Sequence, residues 1–221
     1  MNRQNNFRLV SDILSNGCAF LDIDISDIIV SKLLIYFDLL QYWNSKFNLT
    51  SIIDPRKIAV YHFLDSITVF KIWPINSNAK FLDLGSGAGF PGLILKIVDP
   101  SLSMTLVDKN PKKIVFLKLV ARELDIHNIS YFNIGFKEFF EAHSFSKFDV
   151  VLFRALPKKA LKLLDIRKVL NPSGSVIRMY SRLPEFQDSF LKNYDEVAIW
   201  RGKLPHFKLK RIVVRYQSSA L

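Results

Sequence analysis

The length, composition and charge of the chain restrict both its fold and its partners. Its 221 residues suit one α/β domain of ordinary size, with room for a small extra element. Hydrophobic residues make up 49% of the sequence, which excludes an intrinsically disordered chain. The formal net charge of +11 favours a polyanionic partner, with RNA or DNA as the first candidate. A basic proteome or an anionic membrane surface is the alternative explanation.

The cysteine content, the histidines and the apolar runs exclude further classes. Cys18 is the single cysteine, so no disulfide can form within the chain, and the four histidines lack metal-ligand spacing. We therefore expect no metal. Residues 1–6 are polar and lead into no secretory apolar core, and no segment approaches the roughly 20 apolar residues of a membrane span. We expect a cytoplasmic, monomeric protein without a membrane partner.

The N-terminal third of the chain is predicted to be helical. Residues 26–47 place apolar side chains along one helical stripe, and Ser26 is a suitable N-cap. Residues 56–73 repeat the pattern after a turn, and the next few residues are rich in turn formers. We therefore predict a helical cap at residues 1–77 and a main domain at residues 78–221.

Strands alternate with helices in the predicted main domain. Seven apolar segments are predicted as strands, at residues 80–84, 103–107, 129–134, 148–153, 175–180, 197–200 and 211–216. Helices are predicted at residues 91–99, 111–124 and 160–170, and a turn at residues 171–174. This alternation predicts an α/β fold with a mostly parallel seven-stranded sheet. Ligands of such sheets bind beyond the carboxyl ends of the strands.

A glycine-rich turn follows the first predicted strand, because four of the eight glycines lie between Gly85 and Gly92. A phosphate-binding P-loop would need a following lysine, and a hydrolase nucleophile turn would need glycine in place of Leu84. A dinucleotide fold would need glycine in place of Phe90. Two interpretations remain, a turn without a ligand and a methyltransferase turn. A methyltransferase turn has an acidic residue at the strand end, followed by Gly-x-Gly-x-Gly. We favour it because Asp83 and the glycines that follow match this pattern.

S-adenosylmethionine suits such a turn chemically. It carries a sulfonium, an ammonium, a carboxylate and a ribose, but no phosphate. Glycines allow the backbone to approach the ligand closely, and acidic side chains favour its positive end. Asp108 ends the second predicted strand, where its carboxylate can accept hydrogen bonds from the ribose hydroxyls.

Further motifs occur along most of the chain. They are Trp43-Asn44, Asn48-Leu49-Thr50, Asp54-Pro55, His62-Phe63-Leu64-Asp65-Ser66, Phe90-Pro91-Gly92, Phe148-Asp149 and Arg154-Ala155. With them the chain resembles the bacterial methyltransferases that modify N7 of a guanine in small-subunit (16S) ribosomal RNA, the glucose-inhibited division protein B family. The resemblance implies a class I methyltransferase Rossmann-like fold and S-adenosylmethionine as the cofactor. It also implies 16S ribosomal RNA or the small ribosomal subunit as the partner.

The same resemblance implies roles for individual residues. The cofactor-binding residues that it implies are Gly85, Gly87, Phe90, Asp108, Lys137, Glu138 and Arg154. Asp108 would bind the ribose, and Lys137 and Glu138 would lie near the adenine. Arg154 would lie beside the methyl donor or the target base and is the expected catalytic residue. Guanine N7 has a free lone pair, so catalysis by positioning and electrostatics needs no general base.

Two positions depart from the family pattern. Members of the family usually have an arginine close to the position of Phe136. They usually have Lys-Gly where this chain has Tyr180-Ser181. Two other functions therefore stay open. A non-catalytic or weakly active RNA-binding relative predicts weak binding of S-adenosylhomocysteine. A methyltransferase for a small molecule or a protein predicts no salt-dependent binding of RNA.

Two more features have both a structural and a functional interpretation. His62, Asp65 and Ser66 share one helix face, which favours a buried network between cap and main domain over a hydrolytic triad. Three groups on one helix cannot readily surround a substrate. The basic stretch at residues 201–215 is either a solvated strand face or a track for RNA phosphates.

Overall fold

Two long helices begin the fold in the computed structural model, which describes residues 3–142, 147–155, 166–181, 194–207 and 209–218. Helix α1 spans Arg3–Phe20 and helix α2 spans Asp27–Phe47. Ser26 caps α2 as predicted, since its hydroxyl accepts a hydrogen bond from the Ile29 amide. Asn48 ends α2 in the left-handed region, with φ of 50°. The predicted helix at residues 26–47 is therefore confirmed.

A continuous helical segment at residues 55–71, which we term the linking helix, completes the cap. The Asp54 carboxylate caps it by accepting a hydrogen bond from the Lys57 amide at 2.9 Å. Its four stretches are α3 (Pro55–Ile58), a π-helical turn (Ala59–Leu64), α4 (Asp65–Ile67) and a 3₁₀ turn (Thr68–Lys71). The regular helix predicted at residues 56–73 thus contains a π-helical turn, a feature that is frequent at functional sites.

A seven-stranded sheet follows the cap. Its strands are β1 (Lys80–Leu84), β2 (Ser103–Val107), β3 (Ile129–Phe132), β4 (Phe148–Arg154), β5 (Leu170–Tyr180), β6 (Tyr194–Leu204) and β7 (Leu209–Ser218). The strand order is β3-β2-β1-β4-β5-β7-β6. In this order, each strand from β3 through β2, β1 and β4 to β5 is parallel to the next one. Strand β7 is antiparallel to both β5 and β6. The predicted α/β class and the mostly parallel sheet are confirmed.

Helices cover both faces of the sheet. The connecting helices are α5 (Gly92–Val98), α6 (Pro111–Glu123) and α7 (Phe136–Ala142), with a 3₁₀ turn at Ile166–Lys168. The cap, α5 and α6 pack on the face that carries Phe81, and α7 packs on the face that carries Leu82. Cys18 lies buried in the core of the cap. None of the helices among the described residues is long and apolar enough to cross a membrane.

The turn predicted at residues 171–174, ahead of the fifth strand, lies inside that strand in the structure. These residues belong to β5, but they interrupt its pairing with β4, because Phe148 pairs with Leu170 whereas Val150 pairs with Ser175. The turn-forming residues therefore make a bulge within a strand. Residues 160–165 of the helix predicted at 160–170 lie outside the described residues. The boundary of the cap at residue 77 stays a prediction.

Candidate functional site

The glycine-rich loop connects β1 to α5 and adopts a backbone that favours glycine. Gly85, Gly87 and Gly89 have φ angles of 76°, 58° and 97°. A Cβ at Gly89 would collide with Tyr36 Oη of the cap, so this glycine allows close packing. A Cβ at Gly87 would meet no atom closer than 3.8 Å. Gly87 therefore borders open space, as a ligand-facing position must.

Backbone and serine hydrogen bonds hold the loop against the end of β2. The amides of Gly85 and Ser86 donate to the Val107 carbonyl oxygen at 2.9 and 3.1 Å. The Ser86 hydroxyl donates to the Asp83 carbonyl oxygen at 3.0 Å and accepts from the Val107 amide at 3.1 Å. These contacts keep the loop rigid at the carboxyl ends of two adjacent parallel strands.

Asp108 follows β2 and binds the same loop. Its carboxylate accepts a hydrogen bond from the Gly87 amide at 2.9 Å and another from the Asn110 amide at 2.9 Å. The side chain of Asn133, beyond β3, donates to the Asp108 carbonyl oxygen at 3.0 Å. The structure thus brings Asp108 to the glycine loop, as the strand positions predicted.

Asp83, at the end of β1, is an acid whose pKa is strongly raised in the folded protein. It is fully buried, and one carboxylate oxygen accepts a hydrogen bond from the Gly92 amide at 2.9 Å. The other oxygen, Oδ1, has no hydrogen-bond partner. Burial raises the pKa of Asp83 to about 7, although the Gly92 amide and Arg154 act in the opposite direction. A cationic ligand at this strand end would favour its ionised form.

Arg154 ends β4 and reaches into the cap. Its Nη1 donates to the Tyr61 carbonyl oxygen and to Asp65 Oδ2, both at 2.9 Å, and its Nη2 lies 3.3 Å from His62 Nδ1. Asp65 also accepts a hydrogen bond from Arg211 Nε at 2.6 Å. The predicted network between cap and main domain is therefore present for His62 and Asp65, with Arg154 at its centre, whereas Ser66 donates to the His62 carbonyl oxygen within its own helix.

His62 is neutral in this network. Burial and the neighbouring Arg154 lower the pKa of His62 to about 3. Since arginine can only donate, Nδ1 of His62 accepts, and its Nε2 carries the proton and donates to Thr50 Oγ1 at 2.9 Å. The imidazole also stacks on the Phe90 ring, with centroids 4.2 Å apart and planes 9° apart. Both ring nitrogens are used, so His62 is unsuited to act as a general base.

Phe90 joins the glycine loop to the cap. Its ring is 6% exposed and stacks on Tyr36 as well as on His62, and the Arg154 guanidinium lies 5.7 Å from its centroid. The predicted contact between Phe90 and a cofactor stays a prediction, because the buried ring faces cap residues. The structure nevertheless places Phe90 between the glycine loop and Arg154.

Lys137 and Glu138 lie farther along the same edge of the sheet, in the first turn of α7 after β3. Glu138 accepts a hydrogen bond from the Gly135 amide at 3.0 Å, and Lys137 pairs with Glu141 at 3.8 Å on the surface. Both predicted contacts with an adenine remain predictions. No group of three His, Cys, Asp or Glu side chains within the described ranges is arranged to hold a metal ion.

A cavity of about 430 Å³ opens beside Arg154. Its wall includes His62 and Asp65 from the linking helix, and Arg178 and Tyr180 from β5. Arg211 also lines it, so three arginines border one cavity. The Arg178 guanidinium lies 4.5 Å from the centroid of the Tyr180 ring. Arg178 was not predicted as a site residue, and Arg211 was predicted only as part of the basic stretch at residues 201–215, because only the alignment of β4, β5 and β7 brings the two together.

The sheet order, the glycine turn and the strand-end aspartates define the fold of a class I methyltransferase. Solved structures of this class share it. The ribosomal protein L11 methylase from Lactobacillus delbrueckii subsp. bulgaricus has a TM-score of 0.53 and 16% identity, covering 70% of this chain and 77% of its own. N-methyltransferase NodS from Bradyrhizobium japonicum WM9, in complex with S-adenosyl-L-homocysteine, has a TM-score of 0.53 and 14% identity, covering 80% of this chain and 98% of its own.

Sequence comparison identifies the family. Residues 29–202 match GidB, described as rRNA small subunit methyltransferase G. The ribosomal RNA small subunit methyltransferase G of Clostridium botulinum (strain Okra / Type B1) is 35% identical over 194 residues, which cover 87% of this chain and 80% of that protein. The chain belongs to the GidB family, which confirms the resemblance found in its motifs.

Proposed function

We propose that the protein transfers the methyl group of S-adenosylmethionine to N7 of a guanine in small-subunit ribosomal RNA. One observation carries the proposal within the GidB family. The glycine-rich loop at the ends of β1 and β2 leads directly into Phe90, whose ring lies 5.7 Å from the guanidinium of Arg154, and Arg154 borders a cavity that Arg178 and Arg211 also line. A methyl donor and an anionic nucleotide could thus meet at one edge of the sheet.

The residues at the loop fit the cofactor. Gly87 leaves room for its approach, and the buried carboxylate of Asp83 at the same strand end would favour its positive end electrostatically. Asp108 already orients its carboxylate through two amides, which suits the binding of ribose hydroxyls. Along the same edge, Lys137 and Glu138 would contact the adenine.

The arginine-lined cavity fits a nucleotide. Its volume of about 430 Å³ lies in the range of small-ligand pockets. The guanidinium groups of Arg178 and Arg211 would neutralise a phosphate. The target guanine would therefore lie in this cavity, with its N7 directed toward the glycine loop.

The chemistry of the proposed reaction does not require a general base. When bound, S-adenosylmethionine supplies an electrophilic methyl group on a sulfonium. Guanine N7 would take this methyl group with its lone pair, S-adenosylhomocysteine would be released, and no proton would need to be lost. Arg154, held by Tyr61, His62 and Asp65, would keep the cavity wall and the base in line. We further propose that the protein acts as a cytoplasmic monomer.

Methyl transfer to the unmethylated substrate tests the proposal. The protein is incubated with labelled S-adenosylmethionine and either small ribosomal subunits or their naked RNA from cells that lack the gene. We expect label at N7 of a guanine, mapped by strand cleavage at the modified base. Calorimetry with S-adenosylhomocysteine is run in parallel. Tight binding without any transfer to guanine N7, at varied magnesium and salt, would contradict the proposed substrate, and weak binding would indicate an inactive relative.

A further inference from the structure

The β6–β7 hairpin extends past the end of β5. Pairing between β5 and β7 stops at Tyr180 and Ile212. Pairing between β6 and β7 continues to Leu204 and Leu209. The extra pairs add roughly 10 Å of two-stranded ribbon beyond the carboxyl end of β5. We term this projecting part, residues 202–211, the hairpin overhang.

The overhang is anchored on the cap. Arg211 binds the buried Asp65 through its Nε at 2.6 Å. Phe207 packs against Tyr61 of the linking helix, with ring centroids 5.1 Å apart. Leu204 is 1% exposed. A projecting ribbon with these contacts is a fixed surface, and its exposed side chains have a defined position relative to the cavity.

The overhang carries exposed lysines. Residues 201–211 include five lysines and arginines and no aspartate or glutamate. Lys203 and Lys210 are directly opposite each other on β6 and β7, and both are exposed. Arg201 is exposed two residues before Lys203, so it lies on the same face. Like charges that face each other across a ribbon repel, and a polyanion would remove this repulsion.

The basic face continues from the cavity. Lys210 lies two residues before Ile212, whose partner on β5 is Tyr180 of the cavity wall. Lys210 therefore lies on the same face of the sheet as Tyr180, whereas Arg211 lines the cavity from the face that carries the cap. A strand of RNA that places one nucleotide in the cavity can therefore pass directly over Lys203 and Lys210.

We propose that the hairpin overhang is the docking element for the RNA backbone next to the target guanine. Lys203 and Lys210, together with Arg201 just before the overhang on the same face, bind phosphates of the flanking nucleotides. Such contacts set the register of the RNA without reading its sequence. This inference rests on the proposed function and identifies the surface that presents the substrate to the cavity.

The test compares a variant that lacks two charges of the overhang with a control variant that lacks two charges elsewhere. The variant is Lys203→Gln with Lys210→Gln. The matched control is Lys80→Gln with Lys168→Gln, two exposed lysines at the opposite edge of the sheet. Both double variants lower the net charge equally. Binding of unmethylated small-subunit ribosomal RNA is measured from 50 to 300 mM salt, together with methyl transfer and the affinity for S-adenosylhomocysteine.

We expect the overhang variant to bind RNA on the order of tenfold more weakly. The slope of log K against log salt should fall by about one for each lysine removed. Affinity for S-adenosylhomocysteine should not change, and the control should retain wild-type binding. Equal RNA affinity of the two double variants, with the wild type active on guanine N7, would overturn the docking role alone. Absence of guanine methylation by the wild type would instead overturn the proposed function.

An anionic membrane is the other partner that a basic ribbon could fit. Vesicles that contain phosphatidylserine are therefore included as a probe. We expect no difference in vesicle binding between the overhang variant and the control. A loss of vesicle binding in the overhang variant, with unchanged RNA binding, would assign the surface to a membrane and overturn the proposal.

Discussion

The guanidinium of Arg154 lies 2.9 Å from the carboxylate of Asp65, although 89 positions separate the two residues in the chain. Arg154 ends β4, and Asp65 lies in the linking helix. The Asp65 side chain is 1% exposed and also binds Arg211 of β7. One buried carboxylate thus compensates two guanidinium groups. The cap is therefore part of the wall of the proposed site.

Replacement of Asp65 by asparagine should destabilise the protein strongly. Asp65→Asn leaves two partly buried arginines without a compensating charge, which costs about 3–5 kcal/mol of the free energy of unfolding. Urea denaturation measures this change. The control is Asp38→Asn, which breaks a surface pair with Arg3 and should cost less than about 1 kcal/mol. Similar losses in both variants would show that Asp65 does not hold the two arginines together.

Replacement of Arg154 by lysine should reduce methyl transfer while the positive charge is retained. A lysine ammonium cannot reproduce the planar fork that binds Tyr61, Asp65 and His62 together. We expect a single-turnover rate about 10²-fold lower, because the cavity wall loses its position. Arg122→Lys, at an exposed pair with Glu123, should keep the wild-type rate. A wild-type rate in Arg154→Lys would rule out the proposed role.

An alanine at Gly87 should weaken cofactor binding without unfolding the protein. The new Cβ would enter the open space by the loop, and the φ of 58° adds backbone strain of about 1–2 kcal/mol. Calorimetry with S-adenosylhomocysteine measures the loss of affinity. Asn128→Ala is the matched control, because Asn128 has the same φ of 58° and precedes β3 at the opposite edge of the sheet. If both variants bind S-adenosylhomocysteine equally, the cofactor does not occupy this space.

Asp83 should make the stability of the free protein depend on pH. Its pKa is raised to about 7 in the folded state, from a usual value near 4. The folded protein therefore holds a proton that the unfolded chain releases. The stabilising contribution of this proton is complete below about pH 4 and is lost as the pH rises to about 7. Asp83→Asn should remove this loss, and Asp24→Asn, at an exposed position, should retain it. Urea denaturation between pH 4.5 and 8 measures both variants.

Ionisation of Asp83 should also be linked to cofactor binding. The carboxylate favours a positive ligand, so affinity for S-adenosylmethionine should increase as the pH rises through about 7. Binding at pH 6.5 should release protons, which calorimetry detects in buffers with different ionisation enthalpies. Asp83→Asn should bind with little dependence on pH. If the affinity of the wild type and of Asp83→Asn depended on pH in the same way, the ionisation of Asp83 would not be linked to cofactor binding.

Features that depend on neighbouring residues were predictable from the sequence. Ser26 and Asp54 cap their helices, because a side chain can reach an amide three residues away in any fold. The apolar segments at β1 and β2 form strands, and the positions of Gly87 and Asp108 follow from the ends of those strands. The bulge at residues 171–174 was not predictable, because turn-forming residues make a turn or a bulge according to the strand beside them.

The arrangement of the arginines was decided by the tertiary structure. The sequence by itself determined the alternation of strands and helices, the glycine turn and the family, since each depends on residue types at short spacings. It did not determine that Arg154 and Arg211 share Asp65, or that β6 and β7 extend past β5. Those features depend on strand order, on register and on the docking of the cap. Strand order, register and the docking of the cap are all set by packing between distant segments, so they cannot be predicted from local sequence patterns.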